Sequence, residues 1–209
     1  MWSSHSNYNQ RFSSYYVSAM IAFISKLEMC NTNLTGVSVL HHKLDYQSEN
    51  EFRSNIITHP WMAAFLILPE HIFIGTASII TKSWTITTAY SVEKAANYPL
   101  TKKGFRGGST FWNKGGYYHF AIKIIPHEKF DPYTLDYNIA LIAVSYPFSN
   151  PNEVPIPLAG SRFGLVEDKF AEVVGWAILN DTSYLSDFLL HSKVALISTT
   201  VCRRTLNKY

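Results

Sequence analysis

The pattern of apolar residues changes near Ile56. From there on, short apolar runs rich in β-branched and aromatic residues alternate with turn-forming residues, which is typical of β-strands. The runs predict strands at residues 61–68, 72–80, 84–88, 117–125, 139–144, 170–176 and 188–197. Gly75 interrupts the second run and indicates a bulge or a close backbone approach. Many short strands with little convincing helix after residue 54 predict an all-β sandwich or barrel.

Two of these runs differ in their expected burial. Between Tyr117 and Ile125 the sequence alternates, so that Tyr118, Phe120, Ile122 and Ile124 are expected on one face of the strand. Residues 139–144 are continuously apolar, which predicts a strand buried on both faces.

The chain divides into four parts. Residues 1–54 form an N-terminal extension without strand periodicity, residues 55–145 and 159–209 contain the predicted strands, and prolines mark 146–158 as a linker. Apolar positions at helical spacing from Val17 to Leu27 fit either an amphipathic helix or the apolar part of a signal peptide, and both interpretations stay open. The longest apolar run is far short of the ~20 residues that a membrane-spanning helix needs, so no span is predicted.

Composition excludes several classes of protein. With 47% hydrophobic and 16% charged residues among 209, the chain is not intrinsically disordered. A net charge of +3 is too mild to indicate nucleic acid. Two cysteines, Cys30 and Cys202, exclude a disulfide-dense scaffold and a four-cysteine zinc site. Sequons at Asn33 and Asn180 would accept glycans only in a secreted protein.

Local clusters of reactive or charged residues have ordinary explanations. His127, Glu128 and Asp131 lack the fixed spacing of metal ligands and are expected in a solvated loop. The basic group at residues 102–106 is also expected to be a solvated loop, since three charges supply little phosphate binding. We therefore predict no metal, no cofactor and no nucleic-acid partner.

Several stretches, in order, resemble the trypsin-like serine peptidase family. Residues 78–91 resemble the segment that carries the family's histidine, and Thr134-Leu135-Asp136-Tyr137-Asn138-Ile139-Ala140-Leu141 resembles the segment that carries its aspartate. Shorter matches are His59-Pro60-Trp61, Gly108-Ser109-Thr110 with Gly115-Gly116 as in insect digestive trypsins, Val174-Gly175-Trp176 and Val201-Cys202-Arg203. The resemblance covers residues 55–209. It implies two six-stranded β-barrels, with the first complete in 55–145 and the second partial in 159–209.

The resemblance also indicates lost chemistry. Tyr90 stands where the family has its histidine, and Asn138 stands where it has its aspartate. A phenol is protonated at neutral pH and cannot act as the base, and an amide cannot balance an imidazolium charge. The nucleophilic serine is expected beyond Tyr209. Tyr90 is expected to fill the histidine site and hydrogen-bond Asn138.

Other family features are altered as well. The family's disulfide next to the histidine would join the positions of Gly75 and Ser91, so this bridge is expected to be lost. Arg53 offers a tryptic cleavage point but is not followed by the family's Ile-Val-Gly-Gly sequence. Cys202 is expected to be a free thiol, with a bridge to Cys30 as the alternative.

Three functions stay open. The first is a secreted, non-catalytic homologue that acts by binding a peptide or protein. The second is a serine endopeptidase represented by a fragment, which family resemblance alone would assign and which Tyr90 and Asn138 predict to be inactive. The third is a truncated relic without selected function.

Overall fold

A computed structural model describes residues 37–39, 53–160, 170–179, 184–198 and 201. Its strands and helices follow one another in the order β1 (Val37–Val39), β2 (Met62–Ile67), β3 (Ile72–Thr81), β4 (Trp84–Thr87), α1 (Ala89–Lys94), a 3₁₀ turn (Leu100–Lys102), β5 (Lys103–Gly107), β6 (Tyr117–Pro126), β7 (Ala140–Val144), β8 (Phe170–Gly175), β9 (Ile178–Leu179), β10 (Tyr184–Leu185) and β11 (Leu190–Ser198).

Six antiparallel strands close into a barrel in the order β2-β3-β4-β7-β6-β5. The predicted all-β fold is confirmed, and five of the six strands lie close to their predicted positions. The register of β2 against β3 shifts opposite Gly75, because Phe65 pairs with Gly75 and Leu66 pairs with Phe73. The bulge predicted at Gly75 is therefore present.

Strand β2 is buried on both faces, which explains its uninterrupted apolar sequence. Ala63, Phe65 and Ile67 point into the barrel, where they pack with residues of β3, β5 and β7. The alternate residues belong to a second core outside the barrel, made of Ile56, Met62, Ala64, Leu66, Leu68, Val174, Trp176 and Leu189. This second core joins the barrel to β8 and the segment before β11.

The second half of the chain forms open sheets among the described residues. One has the strand order β1-β11-β8, and a hairpin joins β9 to β10. Strand β1 was unexpected, since residues 1–54 show no strand periodicity. Its three residues pair with β11 from Val37↔Ser198 to Val39↔Leu196, so part of the N-terminal extension contributes to the second sheet.

The strand β6 departs from the predicted alternation. Its register against β7 shifts between Ala121 and Lys123. Before the shift His119 and Ala121 are buried, while after it Ile124 packs against the barrel core. A bulge inserts one residue and changes the phase of the faces, so the single face predicted for Tyr118 through Ile124 was wrong.

The strand β5 was not predicted at all. Residues 103–106 were expected in a solvated loop, but the whole strand Lys103–Gly107 is buried between β2 and β6. Arg106 accounts for this burial, because its guanidinium donates to the carbonyls of Trp112 (2.8 Å) and Gly115 and to the Tyr118 hydroxyl. The expectation of a solvated basic loop was therefore wrong for Lys103 and Arg106.

Residues 145–160, which include the predicted linker 146–158, contain neither helix nor strand. They are nevertheless fixed to the barrel. Backbone bonds run from Val154 N to Pro60 O (3.0 Å) and from Ile156 N to Ile79 O (2.9 Å). The Glu153 carboxylate is buried against His119.

Candidate functional site

The helix α1 places Tyr90 beside the end of strand β4. Thr88 has an extended backbone and is the N-cap, and its hydroxyl accepts a hydrogen bond from Ser91 N at 3.1 Å. The helix begins at Ala89, so that Tyr90 lies in its first turn. The Tyr90 ring is half-buried, and the Lys94 ammonium lies 5.2 Å from its centroid.

Asn138 lies in the loop that precedes β7 and contacts this helix. The Tyr90 backbone N–H donates to Asn138 Oδ1 at 2.8 Å. The structure therefore brings together the two positions that the sequence singled out. The expected hydrogen bond between Tyr90 and Asn138 is present, and its donor is the Tyr90 backbone N–H.

The Asn138 carboxamide can donate and accept hydrogen bonds, but it does not take up a proton at neutral pH. An amide also carries no charge that could stabilise a neighbouring cation.

The loop before Asn138 is tightly structured. Asp131 Oδ1 accepts hydrogen bonds from Tyr133 N (2.8 Å) and Thr134 N (3.3 Å). Leu135 and Tyr137 both have positive φ, at 59° and 55°, which is rare for residues of their size. Tyr133 is 95% exposed at the tip. The predicted solvated loop is thus a fixed turn that presents a tyrosine.

The residues at the expected disulfide positions are direct neighbours. A Cβ built on Gly75 would lie 3.4 Å from Ser91 Cβ and 2.5 Å from Ser91 Oγ. The Ser91 hydroxyl fills this space and accepts a hydrogen bond from Thr88 Oγ1 at 2.8 Å. Cβ atoms in disulfides are about 3.5–4.5 Å apart, so the two positions are close enough for a bridge. That the bridge was lost stays a prediction.

Four of the predicted site residues lie outside the described residues: Asn33, Asn180, Cys30 and Cys202. Lys102, the exposed member of the basic group, pairs with Glu70 at 2.5 Å. Within the described part of the chain no group of three His, Cys, Asp or Glu residues could hold a metal ion, and the loop with His127 and Asp131 is no exception.

A buried contact between His119 and Glu153 went unnoticed in the sequence. His119 Nε2 lies 2.8 Å from Glu153 Oε1, and its Nδ1–H donates to Tyr146 O at 2.9 Å. Burial by itself raises the pKa of the Glu153 carboxyl, but hydrogen bonds from His119 and Asn150 outweigh it, and the net pKa is lowered. The contact holds the linker on the barrel. Its two residues are 34 positions apart in the chain, so no local sequence pattern predicts it.

A second ionisable group joins the two halves of the chain. Glu172 of β8 lies between His59 and His191, with Oε2 3.5 Å from His59 Nε2 and Oε1 2.6 Å from His191 Nδ1. Burial lowers the pKa of His59, and the charge of Glu172 opposes that shift without cancelling it. In the sequence, His59 stood out only as part of the His-Pro-Trp motif.

The comparisons with known proteins agree with this architecture. The family described as Trypsin matches residues 50–209. Trypsin CFT-1 of Choristoneura fumiferana is 28% identical over 130 residues, which are 62% of this chain and 49% of that protein. A trypsin of Phaedon cochleariae is 25% identical over 157 residues, which are 73% of this chain and 58% of that protein. The chain thus spans about half the length of these curated relatives.

A solved structure shows the same fold. The scabies mite inactivated protease paralogue S-D1 superposes with a TM-score of 0.66 at 22% identity, covering 75% of this chain and 66% of that one. In the part of the chain that the structure describes, no helix is both long and apolar enough to span a membrane. The match over residues 50–209, with the closed barrel, shows that the chain belongs to the trypsin family.

Proposed function

We propose that this chain is a catalytically inactive trypsin homologue that acts by binding a peptide or protein. The observation that carries the proposal is the 2.8 Å bond from Tyr90 N to Asn138 Oδ1. It joins the two residues that stand at the family's histidine and aspartate positions, and neither has the chemistry of the residue it replaces.

The expected loss of peptidase activity follows from the roles of the family's histidine and aspartate. The family's histidine takes the proton of the nucleophile, and its aspartate orients and balances the histidine. In an active relative, replacing that aspartate by asparagine alone lowers kcat by about 10⁴. Here Tyr90 also removes the base, so any peptidase activity is expected to be near the background of the assay.

A binding role is supported by the surface around this pair. Tyr133 is almost fully exposed on its fixed turn, and Tyr137 and Ile139 are partly exposed beside it. Two lysines lie near tyrosine rings there, Lys94 near Tyr90 and Lys129 near Tyr137. Exposed tyrosines on rigid backbone give large contact areas at low entropic cost, as in antibody loops.

Fluorophosphonate labelling tests the loss of catalysis. The probe, followed by peptide mapping, is expected to label no serine, while an active insect trypsin in a parallel reaction is labelled at its nucleophile. Labelling of any serine, or hydrolysis of a casein substrate that a serine-directed inhibitor abolishes, would establish the endopeptidase alternative instead.

Selection from a random peptide library tests the binding role. An enriched peptide is expected to bind the chain in a fluorescence anisotropy titration and to lose about tenfold in affinity with Tyr133→Ala, a loss typical of an interface anchor. Ser149→Ala, in the linker, serves as the surface control. A folded chain that enriches no peptide would contradict the proposal, and a chain without a cooperative unfolding transition would favour the relic interpretation.

The proposed role also implies secretion. The insect trypsins among its relatives and the sequons at Asn33 and Asn180 support this part of the proposal. Expression in insect cells is expected to yield protein in the medium whose mass falls on treatment with an N-glycosidase. Retention of the whole product inside the cells would count against it.

A further inference from the structure

Tyr133 is the most exposed tyrosine among the described residues, at 95%. Tyr146 follows at 68%, and the next, Tyr117, is 43% exposed. Tyr133 and Tyr146 therefore present their phenols to an enzyme in solution without any local unfolding of the chain.

The charges around these two tyrosines differ. Within five positions of Tyr133 the chain has three carboxylates and one ammonium, a net charge of −2: Glu128, Asp131, Asp136 and Lys129. Within five positions of Tyr146 the sequence contains no charged residue. Because complementary charge governs which partner is selected, an enzyme with a basic substrate site would distinguish Tyr133 from Tyr146, although both are accessible.

The fold gathers two of the carboxylates at the base of the turn that carries Tyr133. Asp131 N donates to Asp136 O at 3.1 Å, and Leu135 N donates to Asp131 O at 2.8 Å, so the backbone closes on itself on either side of Tyr133. Asp131 Oδ1 also accepts a hydrogen bond from Tyr133 N at 2.8 Å. The exposed phenol is therefore carried by a closed turn with an aspartate at each end.

We propose that Tyr133 is a site of tyrosine sulfation, recognised through the carboxylates that flank it. The donor is an activated sulfate, which is a mixed anhydride of sulfate and an adenosine phosphate. The phenol oxygen attacks the sulfur, the S–O bond to the phosphate breaks, the adenosine phosphate leaves, and the phenol proton passes to a base of the transferase. The product is a sulfate ester with one permanent negative charge, whereas a phosphate would add about −1.5 to −2.

Sulfation in the cell also requires the secretion that the proposed function implies, because tyrosine sulfotransferases act inside the secretory pathway. The site rests on the proposed function in that respect, whereas the reactivity of the exposed phenol does not depend on it. Since Tyr133 is also the proposed anchor for a bound peptide, the sulfate would place a negative charge in the binding surface and favour basic peptides.

The first test uses the folded chain purified from bacteria, so that secretion plays no part. The chain is incubated with a tyrosylprotein sulfotransferase and radiolabelled activated sulfate, and the label per chain is counted. We expect the parent chain to be labelled, Tyr133→Phe to lose nearly all of the label, and Tyr146→Phe to be labelled like the parent. Asp136→Asn removes a flanking charge but keeps the backbone bond to Asp131, and it should be labelled several-fold more slowly.

The second test uses chain secreted by insect cells. The tryptic peptide of residues 130–162, which contains Tyr133, Tyr137 and Tyr146, should gain the mass of one SO₃ group that alkaline phosphatase does not remove. The same peptide from a secreted Tyr133→Phe chain should show no gain.

Several results would overturn the proposal. In the first test these are a folded parent chain that takes up no label, and Tyr133→Phe or Asp136→Asn chains that are labelled as fast as the parent. In the second they are a secreted chain without the added mass and an added group that the phosphatase removes. Labelling by the purified transferase together with retention of the chain inside insect cells would support the site and count against the proposed secretion.

Discussion

The neighbouring positions of Gly75 and Ser91 make a quantitative prediction. In a chain whose two native cysteines are replaced by serine, Gly75→Cys together with Ser91→Cys is expected to form a disulfide. The built Cβ of Gly75 lies 3.4 Å from Ser91 Cβ, close to the spacing found in disulfides. Strand β3 and helix α1 therefore need to shift by only a few tenths of an ångström.

The expected gain in stability comes from the loop that the bridge closes. A loop of about 15 residues corresponds to about 3 kcal/mol in the chain-entropy estimate. Losing the hydrogen bond that Thr88 gives the Ser91 hydroxyl offsets about 1 kcal/mol of this. A net gain of about 2 kcal/mol would raise Tm by roughly 4–8 °C in a chain of this size.

The assay compares oxidised and reduced samples of the same protein. Thiol titration under denaturing conditions counts the free cysteines, and scanning calorimetry gives Tm with and without reductant. Gly75→Ala alone is a matched control and is expected to destabilise, because its Cβ meets Ser91 Oγ at 2.5 Å. Adding Ser91→Ala removes that oxygen and is expected to restore part of the loss.

Two results would refute this reasoning. One is a folded double-cysteine protein that keeps both thiols under mild oxidation, since the side chains would then not approach as described. The other is an oxidised form that melts no higher than the reduced form, since the bridge would then strain the native state as much as it restricts the unfolded one.

Three further changes probe buried polar groups. Glu153→Gln should lower the free energy of unfolding by about 1–3 kcal/mol at pH 7, because it weakens the buried hydrogen bonds with His119 and Asn150. The pKa of Glu153 in the folded chain is lowered from 4.5. The difference in unfolding free energy between variant and parent, measured by urea titration, should therefore shrink below that pH. Arg106→Met leaves the Trp112 and Gly115 carbonyls without their donor and should cost about 1–3 kcal/mol for each in urea unfolding. Thr88→Ala should cost about 1 kcal/mol by the same assay, with Thr88→Ser close to the parent chain. Losses below 0.5 kcal/mol would contradict the assigned roles.

The strands that the sequence predicted well are those whose burial comes from apolar side chains. Strand β2 is apolar throughout because it separates two cores, and that is visible without any partner. Strand β5 escaped prediction for the opposite reason. Its charged residues, Lys103 and Arg106, predict an exposed segment when only the sequence is read. The backbone carbonyls that accept hydrogen bonds from Arg106 cannot be identified from the pattern of side chains.

The candidate site, like the strands, could be predicted only in part from the sequence. Tyr90 and Asn138 could be located because the resemblance supplied their positions, but sequence could not tell which atoms would meet. The pairs His119–Glu153 and His59–Glu172 join residues far apart in the chain, at spacings that correspond to no motif. Such contacts depend on how the barrel and the second sheet pack, and that information is tertiary.

The contact between Tyr90 and Asn138 separates two roles that an aspartate would combine. An acceptor oxygen at position 138 ties the first turn of α1 to the loop before β7 through the Tyr90 backbone, whatever side chain Tyr90 carries. An amide oxygen accepts this bond, more weakly than a carboxylate oxygen would, whereas stabilising an imidazolium needs the charge. Asparagine can fill the first role and carries no charge for the second. The proposed loss of proton transfer predicts such a residue at position 138, where the contact with α1 is kept without the charge.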